Sequence, residues 1–482
     1  MKLKKILSTA LVVATAATMA SCGSKSADNG DVTLTWLLPG DAQADMVSVA
    51  EKVNEITTEK IGAKVDIQFI DTGAYTEKMK MNMASGMDFD ICFAGFVNNY
   101  TDGITKGGFM DITDLLDEVP ALKEAVSDYA WDASKYDGRI YGVPNEQIFA
   151  TAYSFAINMD IASKYDFDFS TVKSIEDLEP YFEMIKENEP NIYPYRANAG
   201  LAPWYVSKYD SLGGFTVIPK GSTSVDEIYL LEDIPEFKAA AAKMHEYYQK
   251  GYIRSDILSM GDDTNDYKNG KYAVTDTVWK PGAEVELQHE IGSEILVIPY
   301  EQPYLTKQKT TATMACIGKN SKHPELALKF IELINTDKDL YNLVCFGIQD
   351  KHYTINENSK VELIPDSGYA PNASWKFGNQ FNALISEGQD DDVWEVTKKT
   401  NDESEKSSLL GFDFDKSAVR TELSNIATVT SEYKQKYECG VSAPEEYMDE
   451  FRAKLIGAGQ EKIMEEYKKQ LSEYFASKKK MQ

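Results

Sequence analysis

The chain has 482 residues, of which 43% are hydrophobic and 11% aromatic. This composition excludes disordered and collagen-like classes, and the length suffices for two domains with their own cores. The formal net charge of −27 would repel nucleic acids and anionic lipid head groups. The acidity therefore argues against nucleic acid as a partner, and its main effect is expected to be solubility.

The first residues have the pattern of an export signal. Three lysines precede an apolar run at residues 6–19, which is too short to cross a bilayer stably. Cys22 directly follows two small residues, as at the acceptor site of a bacterial lipoprotein. We expect a lipoprotein signal peptide at residues 1–21, lipidation of Cys22 and a flexible linker at residues 22–30. The alternative is an ordinary secretory signal with a chance cysteine.

The remaining cysteines do not form a metal-binding pattern. Cys92, Cys316, Cys345 and Cys439 show no CxxC or cysteine–histidine spacing, and we expect no metal and no cofactor. Cys92 and Cys316 lie in apolar runs and are expected to be buried. A disulfide among the four can form outside the cytosol, and the sequence leaves that question open.

The chain begins with alternating strand and helix patterns. Apolar residues alternate at 32–38 and 65–69, and they recur at helical spacing at 46–56 and 75–83. A short buried strand is predicted at 90–94. This β-α-β-α-β order predicts a parallel sheet flanked by helices, with ligands beyond the carboxyl ends of its strands.

The later elements are mixed. A strand is predicted at 148–157, a helix at 236–250 with a glycine cap, and a strand leading to a turn within 267–282. A further helix opens at Pro324. From about residue 400 the pattern is strongly helical.

Common catalytic motifs do not occur in the chain. It contains no GxSxG, HExxH, Walker or GxGxxG pattern, and it has four histidines without metal-site spacing. These observations argue against an enzyme. A glycosidase needs only two carboxylates across a cleft, which spacing along a sequence does not reveal, so a surface glycan-active enzyme remains an alternative.

The tryptophans suggest stacking on sugars. Trp204, Trp279 and Trp375 lie beside proline, glycine or polar residues instead of inside apolar runs. Aromatic rings stack on the apolar face of a pyranose, while polar side chains hydrogen bond to its rim. For any single tryptophan, a position in the core is the alternative.

The order of these segments resembles that of the extracellular solute-binding proteins of ABC importers, in particular the carbohydrate-type family 1. The resemblance is carried by the lipoprotein-type start, DFDICFAG, YGVP with NMDIASKY, NGKYAVTDTVWKPG and TATMACIG. The C-terminal part is similar to the extra region of one lipoprotein branch, through CFGIQDKHYTIN, WKFGNQF, GFDFDKSAVRTELSNI and AGQEKIMEEYKKQL.

This resemblance implies a two-lobed α/β fold of the type II periplasmic-binding-protein kind. Each lobe would be a sheet flanked by helices, with an added helical C-terminal region. Lobe one would comprise residues 31–148 and 305–347, and lobe two residues 149–304 and 348–482. Ligand would close the cleft between the lobes by a hinge.

The resemblance also implies eight ligand-binding candidates by position. They are Trp279 and Trp375 stacking from lobe two, with Trp204 beside them, Asp41, Asp71, Phe96 and Asn98 at strand ends of lobe one, and Glu146 near the first crossing between the lobes.

The expected function is capture of an oligosaccharide-like solute and its delivery to ABC permease subunits. The protein would be a monomer without catalytic activity, held at the extracytoplasmic face of the cell membrane only by its lipid. The alternatives are a binding protein for peptides or another organic solute and, as above, a glycan-active enzyme.

Overall fold

The computed structural model describes residues 32–481 except 88, 198–205 and 260–262. The predicted signal peptide, Cys22, the linker and Trp204 lie outside the described residues. The described strands are β1 (Thr33–Pro39), β2 (Lys64–Ile70), β3 (Ile91–Gly95), β4 (Lys135–Tyr136), β5 (Arg139–Ile140), β6 (Val143–Pro144), β7 (Ala152–Asn158), β8 (Tyr193–Arg196), β9 (Tyr209–Gly213), β10 (Thr216–Pro219), β11 (Tyr229–Leu230), β12 (Tyr272–Trp279), β13 (Ile295–Pro299), β14 (Tyr304–Leu305), β15 (Thr313–Ile317), β16 (Tyr353–Ile355), β17 (Val361–Leu363) and β18 (Glu405–Lys406).

The α-helices of the same residues alternate with these strands before a largely helical C-terminal part. They are α1 (Met46–Ile61), α2 (Thr72–Ser85), α3 (Tyr100–Thr105), α4 (Pro120–Ala125), α5 (Asp128–Ser134), α6 (Met159–Ala162), α7 (Glu179–Asn188), α8 (Pro235–Lys250), α9 (Thr264–Lys268), α10 (Ala283–Ile291), α11 (Lys307–Thr310), α12 (Pro324–Thr336), α13 (Lys338–Phe346), α14 (Val393–Glu403), α15 (Arg420–Cys439), α16 (Pro444–Gly457) and α17 (Gln460–Met481).

Lobe one is built on a five-stranded sheet in the order β2-β1-β3-β15-β6. Strand β1 is parallel to β2 and β3, as the sequence predicts, and β15 runs antiparallel to β3. The carboxyl ends of β1, β2 and β3 therefore lie at the same edge as the first residue of β15. This edge includes Pro39, Ile70, Gly95 and Thr313.

Lobe two is built on a four-stranded sheet in the order β13-β7-β12-β8. Strand β7 is antiparallel to both β12 and β13, so its first residues lie beside the last residues of its neighbours. Trp279 is opposite Ala152, and Pro299 is opposite Ser154. Residues 145–151 run from the end of β6 to the start of β7, so this edge adjoins the corresponding edge of lobe one.

The C-terminal region forms an apolar cluster of its own. Helices α15, α16 and α17 pack with α8 and the small sheet β11-β10-β9 around Phe237, Ile426, Phe451 and Leu471. Helix α8 ends at Gly251, whose positive φ of 72° is a left-handed cap suited to glycine. The added helical C-terminal region predicted from the sequence is thus confirmed.

Three segments cross between the lobes side by side. Thr151 forms a β-bridge with Tyr304, and β14 pairs with β18. The sequence-based division placed the whole stretch from residue 348 in lobe two. In the structure, Tyr369 and Phe377 belong to the apolar core of lobe one, because the chain returns over that lobe before it crosses at β18. We therefore assign residues 348–403 to lobe one.

The first crossing is held by side chains and backbone from this returning stretch. The buried Asn401 of α14 accepts the backbone N–H groups of Phe149 and Ala150 at Oδ1, at 2.8 and 2.9 Å, and donates from Nδ2 to the carbonyl of Gln147 at 2.6 Å. The N–H of Gln380 donates to the carbonyl of Glu146 at 2.7 Å. Asn401 therefore supplies the hydrogen bonds that a neighbouring strand would otherwise make.

None of the described helices has both the length and the apolar character needed to span a bilayer.

Candidate functional site

Two aromatic side chains meet where the strands of lobe one end. Phe96 follows β3 and is 59% exposed. Trp375 lies in the short 3-10 turn Ser374–Lys376, and its ring centroid is 5.5 Å from that of Phe96. Phe93 lies edge-on to both rings, at 5.6 and 6.2 Å. We call Phe93, Phe96 and Trp375 the aromatic platform.

One glycine and one side chain shape the turn that carries Phe96. A Cβ at Gly95 would lie 1.9 Å from the carbonyl oxygen of Ala312, so only glycine allows this close approach at a φ of 138°. Asn98 is only 5% exposed, and its Nδ2 donates to the carbonyl of Phe93 at 3.2 Å. The side chain of Asn98 therefore stabilises the turn, and we take it as a positioning residue instead of a ligand contact.

Lys376 anchors the other half of the platform. Its buried Nζ donates to the carbonyl of Pro39 at 2.8 Å and lies 5.8 Å from the Trp375 ring and 5.4 Å from the Phe69 ring. Burial lowers the pKa of the Lys376 ammonium to about 8, against the opposing effect of Asp41. Lys376 thus ties the turn of Trp375 to the end of β1. Sequence reasoning missed it, because its partner is a distant backbone carbonyl.

The two predicted aspartates lie at the same edge of the sheet. Asp41 and Asp71 are exposed and follow β1 and β2. The Oδ1 of Asp71 accepts the N–H of Ala74 at 3.0 Å and so caps α2. The structure therefore brings Asp41, Asp71, Phe96 and Trp375 to one edge, with the Asp71 carboxylate partly engaged by its helix.

Glu146 is at the first crossing, as the sequence predicts, but its carboxylate points into the protein. It is 3% exposed, and its Oε1 accepts the N–H and the hydroxyl of Ser127, each at 2.7 Å. Burial raises the pKa of this carboxyl. Because both donors precede α5, Glu146 fixes that helix to the crossing, and we take it as a positioning residue.

Trp279 is the aromatic residue at the adjoining edge of lobe two. It is the last residue of β12 and is half-buried. Its N–H donates to the hydroxyl of Ser154 at 3.1 Å, and its ring packs against the small cluster that includes Ala156 and Val297. This packing holds the ring at the strand end. The position of Trp204 lies outside the described residues.

A cavity of about 630 Å³ opens beside these strand ends. Asn99 and Thr101 line it from lobe one, only a few residues after Phe96, and Tyr153 lines it from lobe two, next to the strand partner of Trp279. Its volume lies within the range of roughly 300–1,000 Å³ that is usual for small-molecule sites.

One wall of the cavity is polar. Lys220 forms an ion pair with Glu301 at 2.9 Å. Asp210 accepts hydrogen bonds at Oδ2 from the hydroxyls of Tyr304 and Ser407, at 2.9 and 2.7 Å. Burial raises the pKa of Asp210, and these hydroxyls oppose that shift. The wall thus offers oriented polar groups whose charges already have partners.

Two lysines of helix α11 extend this wall. Lys307 pairs with Asp413 at 2.8 Å. Lys309 donates from Nζ to the carbonyls of Thr151 and Tyr304, at 3.1 and 3.3 Å, and burial lowers the pKa of its ammonium to about 8. Sequence reasoning named no cavity residue, because they come from distant segments without a shared motif.

These groups are suited to hydrogen bonding and stacking. The described residues contain no group of three or more side chains of His, Cys, Asp or Glu placed to hold a metal ion. The carboxylates of Asp210 and Glu301 are both held by protein donors. An arrangement of this kind is suited to a polar, ring-shaped solute, with stacking on its faces and hydrogen bonds at its rim.

Comparison with known proteins agrees with the fold. A model of the bacterial extracellular solute-binding protein family matches residues 43–339. A second model, described as a domain of unknown function (DUF3502), matches residues 408–476. A carbohydrate ABC transporter substrate-binding protein of Streptococcus pneumoniae serotype 4 is 30% identical over 492 residues, covering 99% of each chain.

Solved structures of an N-glycan transport solute-binding protein (NgtS) from Streptococcus pneumoniae are similar over nearly the whole length. One crystal structure has a TM-score of 0.84 at 27% identity and covers 93% of this chain and 100% of that chain. The same protein in complex with Man5GlcNAc has a TM-score of 0.71 at 27% identity, covering 93% and 99% of the two chains. With its two-lobed type II fold, the chain belongs to the bacterial extracellular solute-binding protein family.

Proposed function

We propose that this protein captures an oligosaccharide between its lobes and delivers it to the permease of an ABC importer. The observation that carries the proposal is the placement of aromatic rings at two adjoining sheet edges. Phe96 and Trp375 lie at the edge of lobe one, and Trp279 lies at the edge of lobe two. A sugar between these edges would have its apolar faces stacked and its hydroxyls within reach of polar groups.

The relatives support this ligand class. Two of the NgtS structures are described as complexes, one with Man1GlcNAc and one with Man5GlcNAc. The relative from Streptococcus pneumoniae serotype 4 is named as a carbohydrate ABC transporter substrate-binding protein. Glycans of mannose and N-acetylglucosamine are therefore the first ligands to test. Delivery to permease subunits by a monomeric receptor without catalytic activity is part of the same proposal.

Isothermal titration calorimetry over a panel of neutral glycans and peptides tests the ligand class. We expect saturable binding of at least one oligosaccharide, and chromatography of the incubated glycan should show it unchanged. Release of shorter products would overturn the proposal in favour of a glycan-active enzyme. Binding of peptides without any glycan would overturn the carbohydrate assignment and leave a solute receptor of another class.

The comparison also supports an open, ligand-ready arrangement. The TM-score is 0.84 to the NgtS structure whose description names no ligand, but 0.73 and 0.71 to the two structures described as glycan complexes, at the same 27% identity. Closure of the lobes on a ligand would explain such a difference. Small-angle X-ray scattering should then show a smaller radius of gyration with saturating glycan. An unchanged radius during proven binding would contradict hinge closure.

The location of the protein at the membrane is proposed from the lipoprotein-type pattern at its N-terminus. Lipid on Cys22 would hold the receptor beside its permease and raise its effective concentration there. Metabolic labelling with a palmitate analogue should label the unmodified protein and not Cys22→Ser, which should move to the soluble fraction. Labelling of the variant would reject Cys22 as the acceptor.

A further inference from the structure

The cavity beside the aromatic platform is lined partly by the C-terminal region. Ser407, Leu409, Phe412 and Phe414 contribute to its wall. They lie beyond residue 339, where the match to the solute-binding family ends, and all but Ser407 fall within the match at 408–476 to a domain of unknown function. The two stretches therefore meet at one cavity.

This wall is fixed to the rest of the receptor by specific contacts. Ser407 donates to Asp210, and Asp413 pairs with Lys307, so the segment is held between lobe two and the second crossing. On the other side, Phe414 is stacked on Tyr467 of α17, with centroids 3.6 Å apart and planes at 13°. The wall is therefore held in place from both sides, which favours a preorganised binding surface.

The charge of the cavity identifies the chemistry it fits. Among the described residues that line it, four are lysines and four are aspartate or glutamate. Of these, Lys220 is paired with Glu301 and Lys307 with Asp413. An anionic ligand would have to compete with these carboxylates, whereas hydroxyl groups can add hydrogen bonds to paired ions. The balance favours a neutral, hydroxyl-rich ligand.

We infer that the C-terminal region forms a size-selective extension of the glycan site, which takes the additional residues of a larger neutral oligosaccharide. The inference rests on the proposed function. A short glycan would be held at Phe96, Trp375 and Trp279, and a longer or branched one would continue past Asn99 and Tyr153 into the cavity. The region of unassigned function thereby gains a role in ligand selection.

The test compares affinities for a small and a large glycan. Ser211 is exposed on β9 and lines the cavity, so Ser211→Trp would fill the cavity without disturbing a core. Phe412→Ala would instead remove an aromatic wall residue. Thr223→Trp, exposed and outside the cavity lining, is the matched control for the added ring. Affinities for Man1GlcNAc and Man5GlcNAc are measured by calorimetry.

We expect Ser211→Trp to weaken Man5GlcNAc binding by about tenfold or more and Man1GlcNAc binding by less than about twofold. Phe412→Ala should show the same preference to a smaller degree, and Thr223→Trp should bind both glycans as the unmodified protein does. Equal effects on both glycans, or none, would reject the inference while leaving the proposed function intact. If the unmodified protein binds neither glycan, nor any other oligosaccharide, both are rejected.

Discussion

The ring of Trp375 lies 5.5 Å from the ring of Phe96 with an angle of 57° between their planes. The two residues come from the two separate chain segments that form lobe one, and a hydrogen bond to the backbone holds each turn beside the end of a strand. Phe96 hydrogen bonds to Ala312 just before β15, and the neighbour of Trp375, Lys376, bonds to Pro39 at the end of β1. Contacts within the protein therefore hold both rings of the platform in place.

Removing the ring of Phe96 or that of Trp375 from the aromatic platform should weaken glycan binding. Phe96→Ala and Trp375→Ala are each expected to cost about 1 kcal/mol or more of binding free energy, because each ring offers a stacking face. Phe96 is 59% exposed, so its loss should barely change the melting temperature. The double variant should lose less than the sum of the single losses, since the rings contact each other. Full additivity in calorimetry would show that the rings act on the ligand independently.

Trp279→Ala should weaken binding by roughly 1 kcal/mol or more while the fold persists. The ring is half-buried against a small cluster, so a modest drop in melting temperature is expected as well. Trp131→Ala is the matched control, because Trp131 is also half-buried but packs against the core of lobe one, away from the proposed site. Unchanged affinity of Trp279→Ala for the true ligand would remove Trp279 from the site.

Glu232 should make the stability of the C-terminal region depend on pH. It is 1% exposed, and burial raises the pKa of its carboxyl to about 7. One oxygen accepts from Nε2 of Gln460 at 2.8 Å, while Oε1 of Glu232 and Oε1 of Gln460 both lack partners in the described structure. A proton on Glu232 would allow it to donate to Gln460 and satisfy both oxygens.

The raised pKa of Glu232 determines whether stability rises or falls with pH. The folded protein binds this proton more tightly than the unfolded chain, whose carboxyl has an ordinary pKa of 4.5, so stability is lost as pH rises from 4.5 to about 7. The loss is at most on the order of 3 kcal/mol. Nearby Asp233 adds to the shift, and Arg452, paired with Asp233, opposes it.

Chemical denaturation of Glu232→Gln should therefore show higher stability than the unmodified protein at pH 8 and a flatter profile between pH 4.5 and 7. The amide can donate to Gln460 at every pH. Glu446→Gln, exposed in the first turn of α16, is the control and should keep the original profile. A variant profile as steep as that of the unmodified protein would mean that Glu232 is not the group that titrates.

The four described cysteines should remain thiols. Cys92 and Cys316 are directly opposite in β3 and β15. In an antiparallel ladder, every second pair of facing residues is a hydrogen-bonded pair. The N–H of Gly318 donates to the carbonyl of Asp90, and the N–H of Phe96 donates to the carbonyl of Ala312. Counting in steps of two from these pairs makes Cys92 and Cys316 a hydrogen-bonded pair as well. The Cβ atoms of a hydrogen-bonded pair lie toward the far end of the roughly 4.5–5.5 Å range for facing residues. A disulfide needs Cβ atoms only about 3.5–4.5 Å apart, so this pair would need backbone movement to form one.

Mass spectrometry after alkylation in denaturant without reductant should find Cys92, Cys316, Cys345 and Cys439 all modified. In the native protein labelling should be very slow, because all four are buried and burial raises the pKa of each thiol. A cross-linked peptide that joins the β3 and β15 segments would contradict the prediction.

Local patterns in the sequence predicted the elements well and their assembly less well. Strands β1 to β3 and helix α8 follow from apolar spacing and a glycine cap, because each depends on residues close in sequence. The division at residue 348 was wrong because periodicity does not say which lobe a helix or turn packs against. The assignment of this stretch to lobe one becomes evident only from the core residues that Tyr369 and Phe377 contact.

The candidate site shows the same limit. Strand-end position singled out Phe96 and Trp279, and polar neighbours singled out Trp375. Neither signal predicted the direction of the Asn98 and Glu146 side chains, which point into the protein. Side-chain direction at a turn depends on one or two backbone angles that the residue types do not determine. The cavity escaped prediction altogether, since its walls are assembled from both lobes and the C-terminal region.

Asn401 replaces a missing strand partner for residues 147–150. This dependence on a distant side chain limits how segments can be exchanged between receptors of this family. A chimaera that joins the first 340 residues of one member to the tail of another would pair a crossing backbone with an unrelated residue at this position. Two buried N–H groups and one carbonyl would then lose their partners, so the crossing and its distant amide are expected to be inherited, and should be exchanged, as one unit.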